Sequence, residues 1–169
     1  MMEQDPKWYA LFVRSRHEFV AAEQLRKRGI EAFLPSVTRM RRWSDRRKAV
    51  TFPLFPGYVF VRVRPCGQDF LNAVTTHGSV CFVCQEPGRP TPVDPQEIDT
   101  LRRMLCAGGE VDVHPHLCTG AQVKVRRGPL AGAVGMLVRK QSTQEFLVNI
   151  EILGRSIGMQ IDADDLGLV

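Results

Sequence analysis

Short apolar runs separated by charged turns divide the first hundred residues of the chain. Trp8 to Val13 is aromatic and β-branched, the texture of a strand. Arg14 to His17 is a polar turn, and Ser15-x-x-Glu18 reads as a capping box opening a helix through Phe19, Val20, Ala21, Ala22 and Leu25 to Arg28. Gly29 stops this helix, and Ile30 to Leu34 is a second strand closed by Pro35. Val37 to Trp43 and Lys48 to Thr51 form the arms of a basic hairpin with its tip at residues 44–47. The arm should project, because few of its residues can be buried. Tyr58 to Val63 alternates as a sheet strand. Phe70 to Thr76 is a short helix striped by Phe70, Leu71 and Val74, and Ser79 to Cys84 is the last strand of this unit. After a proline- and glycine-rich loop, Asp94-Pro95-Gln96-Glu97 starts a helix with Asp at the N-cap and Pro at the first position; Ile98, Leu101, Met104 and Leu105 give its apolar face.

Residues 109–118 have no period and carry prolines and histidines, which predicts a linker. From Gly120 the texture changes. Residues 122–126, 134–140, 146–152, 156–161 and 166–169 are short strands between turns, a spacing that suggests a small closed barrel. The expected fold class is α+β: a ferredoxin-like antiparallel sheet with helices over residues 7–108, the linker 109–118, and the barrel over 119–169.

One stretch stands apart, Phe52-Pro53-Leu54-Phe55-Pro56-Gly57-Tyr58-Val59-Phe60-Val61. Pro53 and Pro56 fix φ and push the residue before each toward extended geometry, while Gly57 permits a φ that other residues resist. Phe52, Leu54 and Phe55 cannot all face one core from so short a run. At least one should be exposed, and exposed aromatic surface beside a stiff proline corner suggests docking. A proline-braced core strand is the plainer alternative.

Composition narrows the chemistry. Apolar content of 44% is that of a globular protein, no apolar run approaches bilayer length, and the start Met1-Met2-Glu3-Gln4-Asp5-Pro6 lacks the apolar segment of a secretory signal, so the expected compartment is the cytoplasm. The five cysteines are expected as free thiols. Cys81-x-x-Cys84 has metal-like spacing, but strand positions three apart face opposite sides; His114, His116 and Cys118 with Cys106 form no closed ligand pattern of known spacing. No nucleophile–base pair, phosphate loop or cofactor motif is present, so neither catalysis nor a cofactor is expected. The net charge is +5, and arginine is concentrated in the first half, which favours a polyanionic partner for that half or else a solvated basic face.

The first unit resembles the N-terminal domain of the NusG family of transcription elongation factors. The likeness lies in Trp8-Tyr9, the helix after Arg14, Leu34-Pro35, and above all Pro53 to Val61. The second unit looks like a KOW domain, through Val123-Lys124-Val125-x-x-Gly128-Pro129-Leu130-Ala131-Gly132, then Gly135 and Gly154-Arg155. The resemblance implies binding to the clamp helices of RNA polymerase through Phe12, Leu34, Phe55, Pro56 and Val83, with Phe55 as the anchor. By likeness to the operon-specific branch, it implies contact with the non-template DNA strand through Arg14, Arg16, His17, Gln24, Thr76 and His77. Val20 stands where that branch uses arginine, and Asp69-Phe70-Leu71 stands in place of its histidine–threonine gate-loop motif. The KOW loop residues Gly128, Pro129, Leu130 and Gly132 imply a recruitment barrel for the small-subunit ribosomal protein NusE, for Rho, or for both. The whole would be a monomer without membrane attachment, working as a processive antiterminator of specific operons. A general NusG-type factor and a ribosome-associated RNA-binding protein are the alternatives. The β-favouring barrel strands and Gly132, Gly135 and Gly154 predict a resident barrel in place of a helical hairpin.

Overall fold

A computed structural model describes residues 5–115, 120–140, 143–150 and 153–169. The chain divides into two compact units, one reaching Val93 and the other starting at Asp94.

In the first unit, β1 (Lys7–Val13), β2 (Glu31–Phe33), β5 (Tyr58–Val63) and β6 (Ser79–Phe82) form an antiparallel sheet in the order β2-β5-β1-β6. A two-residue strand, β7 (Pro92–Val93), also pairs with β1. Helices α1 (Glu18–Lys27) and α2 (Gln68–Val74) give the βαββαβ order of a ferredoxin-like sandwich, and a separate two-stranded ribbon, β3 (Ser36–Arg42) and β4 (Arg47–Pro53), is inserted between β2 and β5. The pleat sends alternate residues to opposite faces. Tyr9, Leu11, Val13, Val59, Val61 and Val63 point to one side, where they close a core with Ala21, Ala22 and Leu25 of α1 and Ala73 of α2. The opposite side is aromatic. Ala10 pairs with Phe60 and Phe12 with Tyr58, while Phe33 pairs with Phe60.

Both helix starts depart from the sequence pattern. Arg16 takes a left-handed φ of 65° and α1 has no side-chain cap. The Ser15–Glu18 capping box does not form, because the Glu18 carboxylate turns inward and accepts the Gly57 N–H at 2.9 Å, a buried bond spanning 39 positions. Helix α2 begins two residues early. Asp69 folds back to accept the Arg64 N–H at 2.8 Å, and the hydroxyls of Thr75 and Thr76 end the helix by donating to the Leu71 and Asn72 carbonyls at 2.9 and 2.7 Å.

The second unit opens with α3 (Pro95–Cys106). Its Asp94 cap accepts the Gln96 N–H at 2.8 Å, with Pro95 at the first position as the sequence predicts. Strands β8 (Val111–Pro115), β9 (Ala121–Val125), β10 (Val134–Lys140), β11 (Thr143–Ile150), β12 (Arg155–Gln160) and β13 (Leu166–Leu168) form one antiparallel sheet in the order β13-β9-β10-β11-β12-β8. All five expected strands are present. The linker expected at 109–118 instead contains β8, because Val111, Asp112 and Val113 find partners on β12; residues 116–118 lie outside the described residues. Helix α3, which the sequence reading places with the first unit, groups with the second: it packs on β11 and Arg103 donates to the Ala131 carbonyl at 3.0 Å.

Candidate functional site

Two surfaces of the first unit meet at the end of β1. The first is the aromatic side of the sheet. Phe12 is 39% exposed, its ring 5.6 Å from that of half-buried Tyr58. Gly57 has φ +86°, and a Cβ there would stand 3.2 Å from the Phe12 ring, so glycine is what lets the turn after exposed Pro56 close beneath that ring. Val83 is half-buried and extends the β6 pairing through its N–H to the Ala10 carbonyl at 2.9 Å. Phe12, Pro56, Tyr58 and Val83 therefore supply the accessible apolar surface.

Two other residues of that expectation are not surface groups. Phe55 is only 4% exposed and sits edge-on to Phe60 at 6.1 Å. Leu34 belongs to the helix-side core. Of the three residues Phe52, Leu54 and Phe55, it is Phe52 that stays partly exposed, under the Arg41 guanidinium at 4.7 Å. Tyr58 was not among the expected contact residues. Its signal is positional: it opens the alternating strand that pairs with Phe12, and that pairing is a long-range fact.

The second surface is the turn leaving β1. The Arg14 N–H donates to the Gly78 carbonyl at 2.8 Å, which ties this turn to the one after α2. The rings of His17 and His77 then lie 5.6 Å apart, and His17 Nδ1 is 3.0 Å from the Ser15 carbonyl. Arg14, Arg16 and His77 are exposed, and half-buried Gln24 lies two turns along α1 from His17, past exposed Val20. Thr76 does not share this surface. It is 3% exposed and its hydroxyl is spent on the Asn72 carbonyl. In the segment Asp69-Phe70-Leu71, Asp69 caps the preceding turn, Phe70 stacks on Phe82 at 4.1 Å, and only Leu71 is exposed. Four cations or potential cations on two tied turns can attract phosphate, pair with base edges, or stack.

In the second unit the loop from Gly128 to Gly132 is a tight double turn. Gly128 and Gly132 take φ of +86° and +89°, the Gly132 N–H reaches the Val125 carbonyl at 2.8 Å, and Pro129 is exposed. Leu130 is 2% exposed and plugs the sheet, so its role is to hold the loop. Among the described residues, no group of three or more His, Cys, Asp or Glu side chains could hold a metal ion, and Cys66, Cys81, Cys84 and Cys106 are free and exposed. His116 and Cys118 lie outside the described residues. No helix among them is long and apolar enough to cross a membrane.

An α+β unit with an insertion ribbon, followed by a small antiparallel sheet with a glycine–proline loop between β9 and β10, defines a class that the comparisons specify further. The NusG family model, described as "Transcription termination factor nusG", matches residues 6–102. The chain is 26% identical over 175 residues to the transcription termination/antitermination protein NusG of Staphylococcus aureus, covering 95% of this chain and 94% of that protein. It is 24% identical over 170 residues to the protein of the same name from Halalkalibacterium halodurans, covering 94% and 96%. The solved structure "Domain interaction in Thermotoga maritima NusG" shares the fold, with a TM-score of 0.55 and 23% identity over 97% of both chains. The chain belongs to the NusG family.

Proposed function

We propose that this chain is a transcription elongation factor that binds the clamp helices of RNA polymerase through Phe12, Pro56, Tyr58 and Val83. The observation that carries the reading is the exposed Phe12 ring, seated on Gly57 and beside Tyr58 on the sheet face opposite the two helices. A monomeric globular unit leaves such an aromatic patch open where a partner covers it. Contacts made only with the closed, elongating clamp shift polymerase toward that state, which suppresses pausing and termination. Arg14, Arg16, His17, Gln24 and His77 face the non-template strand, and the second unit, acting as a KOW domain, recruits NusE or Rho.

Within this function the operon-specific role is supported by the tied arginine–histidine turns, which offer base-edge and stacking contacts beyond simple charge. The test is single-round transcription by purified RNA polymerase through a pause site and a terminator. Added protein should shorten the pause and raise read-through, and more so when the template carries its own upstream leader. Unchanged pausing and read-through on every template would refute the elongation reading. An equal effect with and without the leader would refute operon specificity alone.

A further inference from the structure

The ribbon β3–β4 carries an arrangement that the aromatic face and the β1 turn do not use. Residues directly opposite each other in an antiparallel pair share a face, and like charges so placed repel. Here two successive rungs are cation against cation: Arg41 opposite Lys48, then Arg42 opposite Arg47. Because the pleat alternates, one pair faces one side of the ribbon and the next pair faces the other. All four side chains are exposed. Over residues 36–53 there are six arginines and lysines and a single acid, Asp45. The tip is nevertheless well formed. Trp43 and Arg46 exchange backbone hydrogen bonds at 2.8 and 3.3 Å, and Thr38 and Thr51 share a hydroxyl bond of 2.8 Å nearer the base. Trp43 and Met40 stand 62% and 65% exposed.

Self-repulsion on both faces of a well-formed ribbon calls for anions on both sides at once. A single strand laid along one face would leave the other pair uncompensated. The two phosphate walls of a duplex groove satisfy both. Seven residues per strand make the ribbon about 24 Å long, and a two-stranded ribbon fits the roughly 12 Å major groove of B-form DNA. The deep, narrow major groove of A-form RNA does not admit it. We infer that the β3–β4 ribbon is a second nucleic-acid surface, which inserts its tip into the major groove of duplex DNA with Arg41, Lys48, Arg42 and Arg47 on the flanking phosphates and Trp43 at the leading end.

The test uses the full chain without polymerase, so its outcome is independent of the function proposed above. Binding to a labelled mixed-sequence 24-base-pair DNA duplex is followed by anisotropy as salt is raised. If each of the four opposed cations neutralises one phosphate, the ribbon should contribute about 150-fold to the fall in affinity between 50 and 200 mM salt, and the double variant R42Q/R47Q should make the whole fall about 12-fold smaller than in the wild type. Both positions are exposed, and removing one repelling pair should not unfold the ribbon, which circular dichroism checks. Emission from Trp43 should change on saturation, since the other tryptophan, Trp8, is only 6% exposed. An unchanged salt dependence in R42Q/R47Q would overturn the proposal. So would single-stranded DNA or duplex RNA of equal length competing as well as duplex DNA, or Trp43 emission that stays constant at saturation.

Discussion

Replacing Phe12 by alanine tests the proposed polymerase-binding face where folding and binding are most separable. The side chain is 39% exposed, so of the ~150–250 Å² that an aromatic residue can bury, about 60–100 Å² is still open to a partner. At ~25 cal/mol per Å², covering that area is worth about 1.5–2.5 kcal/mol, a loss of about 10- to 70-fold in affinity on truncation. The rest of the ring already packs on Tyr58 and Gly57, so the variant also gives up about 2–4 kcal/mol of stability as an upper bound. Phe12→Leu retains most of that packing and should lose only part of the affinity. The assay is equilibrium binding of labelled protein to core RNA polymerase at a temperature where melting curves show each variant folded. Phe55→Ala is the weaker probe, since a 4% exposed ring edge-on to Phe60 leaves a cavity costing about 3–5 kcal/mol, and lost binding would then report unfolding. Wild-type affinity in a folded Phe12→Ala protein would refute the assignment of this face.

Three further outcomes follow from single contacts. Glu18→Ala leaves the buried Gly57 N–H without its acceptor and should cost about 1–3 kcal/mol in denaturant unfolding, with Glu18→Gln recovering most of it; equal midpoints for wild type and Glu18→Ala would contradict the bond's role. Gly135→Ala would place a methyl group against the Leu147 carbonyl oxygen and 2.8 Å from the Phe146 ring, forcing β10 from β11, so the second unit should lose about 3 kcal/mol or fail to fold, read as a lowered melting temperature. Burial first, and the Cys66 thiolate second, push the Tyr9 phenol above its ordinary pKa of 10.0; the folded state then holds a proton that the unfolded state has released. That contribution is complete below the ordinary tyrosine value and is lost as pH rises through the raised one. Melting temperature should therefore drop on the alkaline side, and Tyr9→Phe should blunt the drop.

What could be read from the chain was what local physics decides. The apolar texture of Trp8 to Val13, the Asp94-Pro95 helix start and the five short strands after Gly120 appear where expected, because strand texture and N-cap chemistry act within a few residues. The misreadings share a cause. Glu18 carries a capping-box signature, yet its carboxylate is claimed by an N–H 39 positions away. Phe55, Leu34 and Thr76 look available in sequence and are buried by neighbours that only the fold brings near. Val111 to His114 passed for linker because Pro115 and the histidines disguise a strand whose partner, β12, comes some forty residues later. Of the candidate surfaces, the residue types were legible, whereas which of them reach solvent together was not.

The contacts at the end of β1 bear on how the two surfaces work together. Phe12 is the last outward aromatic of the strand, and the cationic turn begins two residues later. Between them, the Val13 N–H donates to the Gly57 carbonyl at 2.8 Å, the Gly57 N–H donates to Glu18 at 2.9 Å, and the Arg14 N–H donates to the Gly78 carbonyl at 2.8 Å. The two surfaces thus hang on adjacent backbone bonds: Gly57 underlies the Phe12 ring and is tied to Glu18 next to His17, and Gly78, whose own Cβ would come 3.0 Å from that of His17, carries the His77 side. A site held by backbone hydrogen bonds on packed elements keeps its geometry without rearranging on binding. Polymerase docked on Phe12 would accordingly fix where Arg14, Arg16, His17 and His77 meet the DNA strand. Loosening the Gly57–Glu18 bond should then weaken both contacts, although Glu18 touches neither partner.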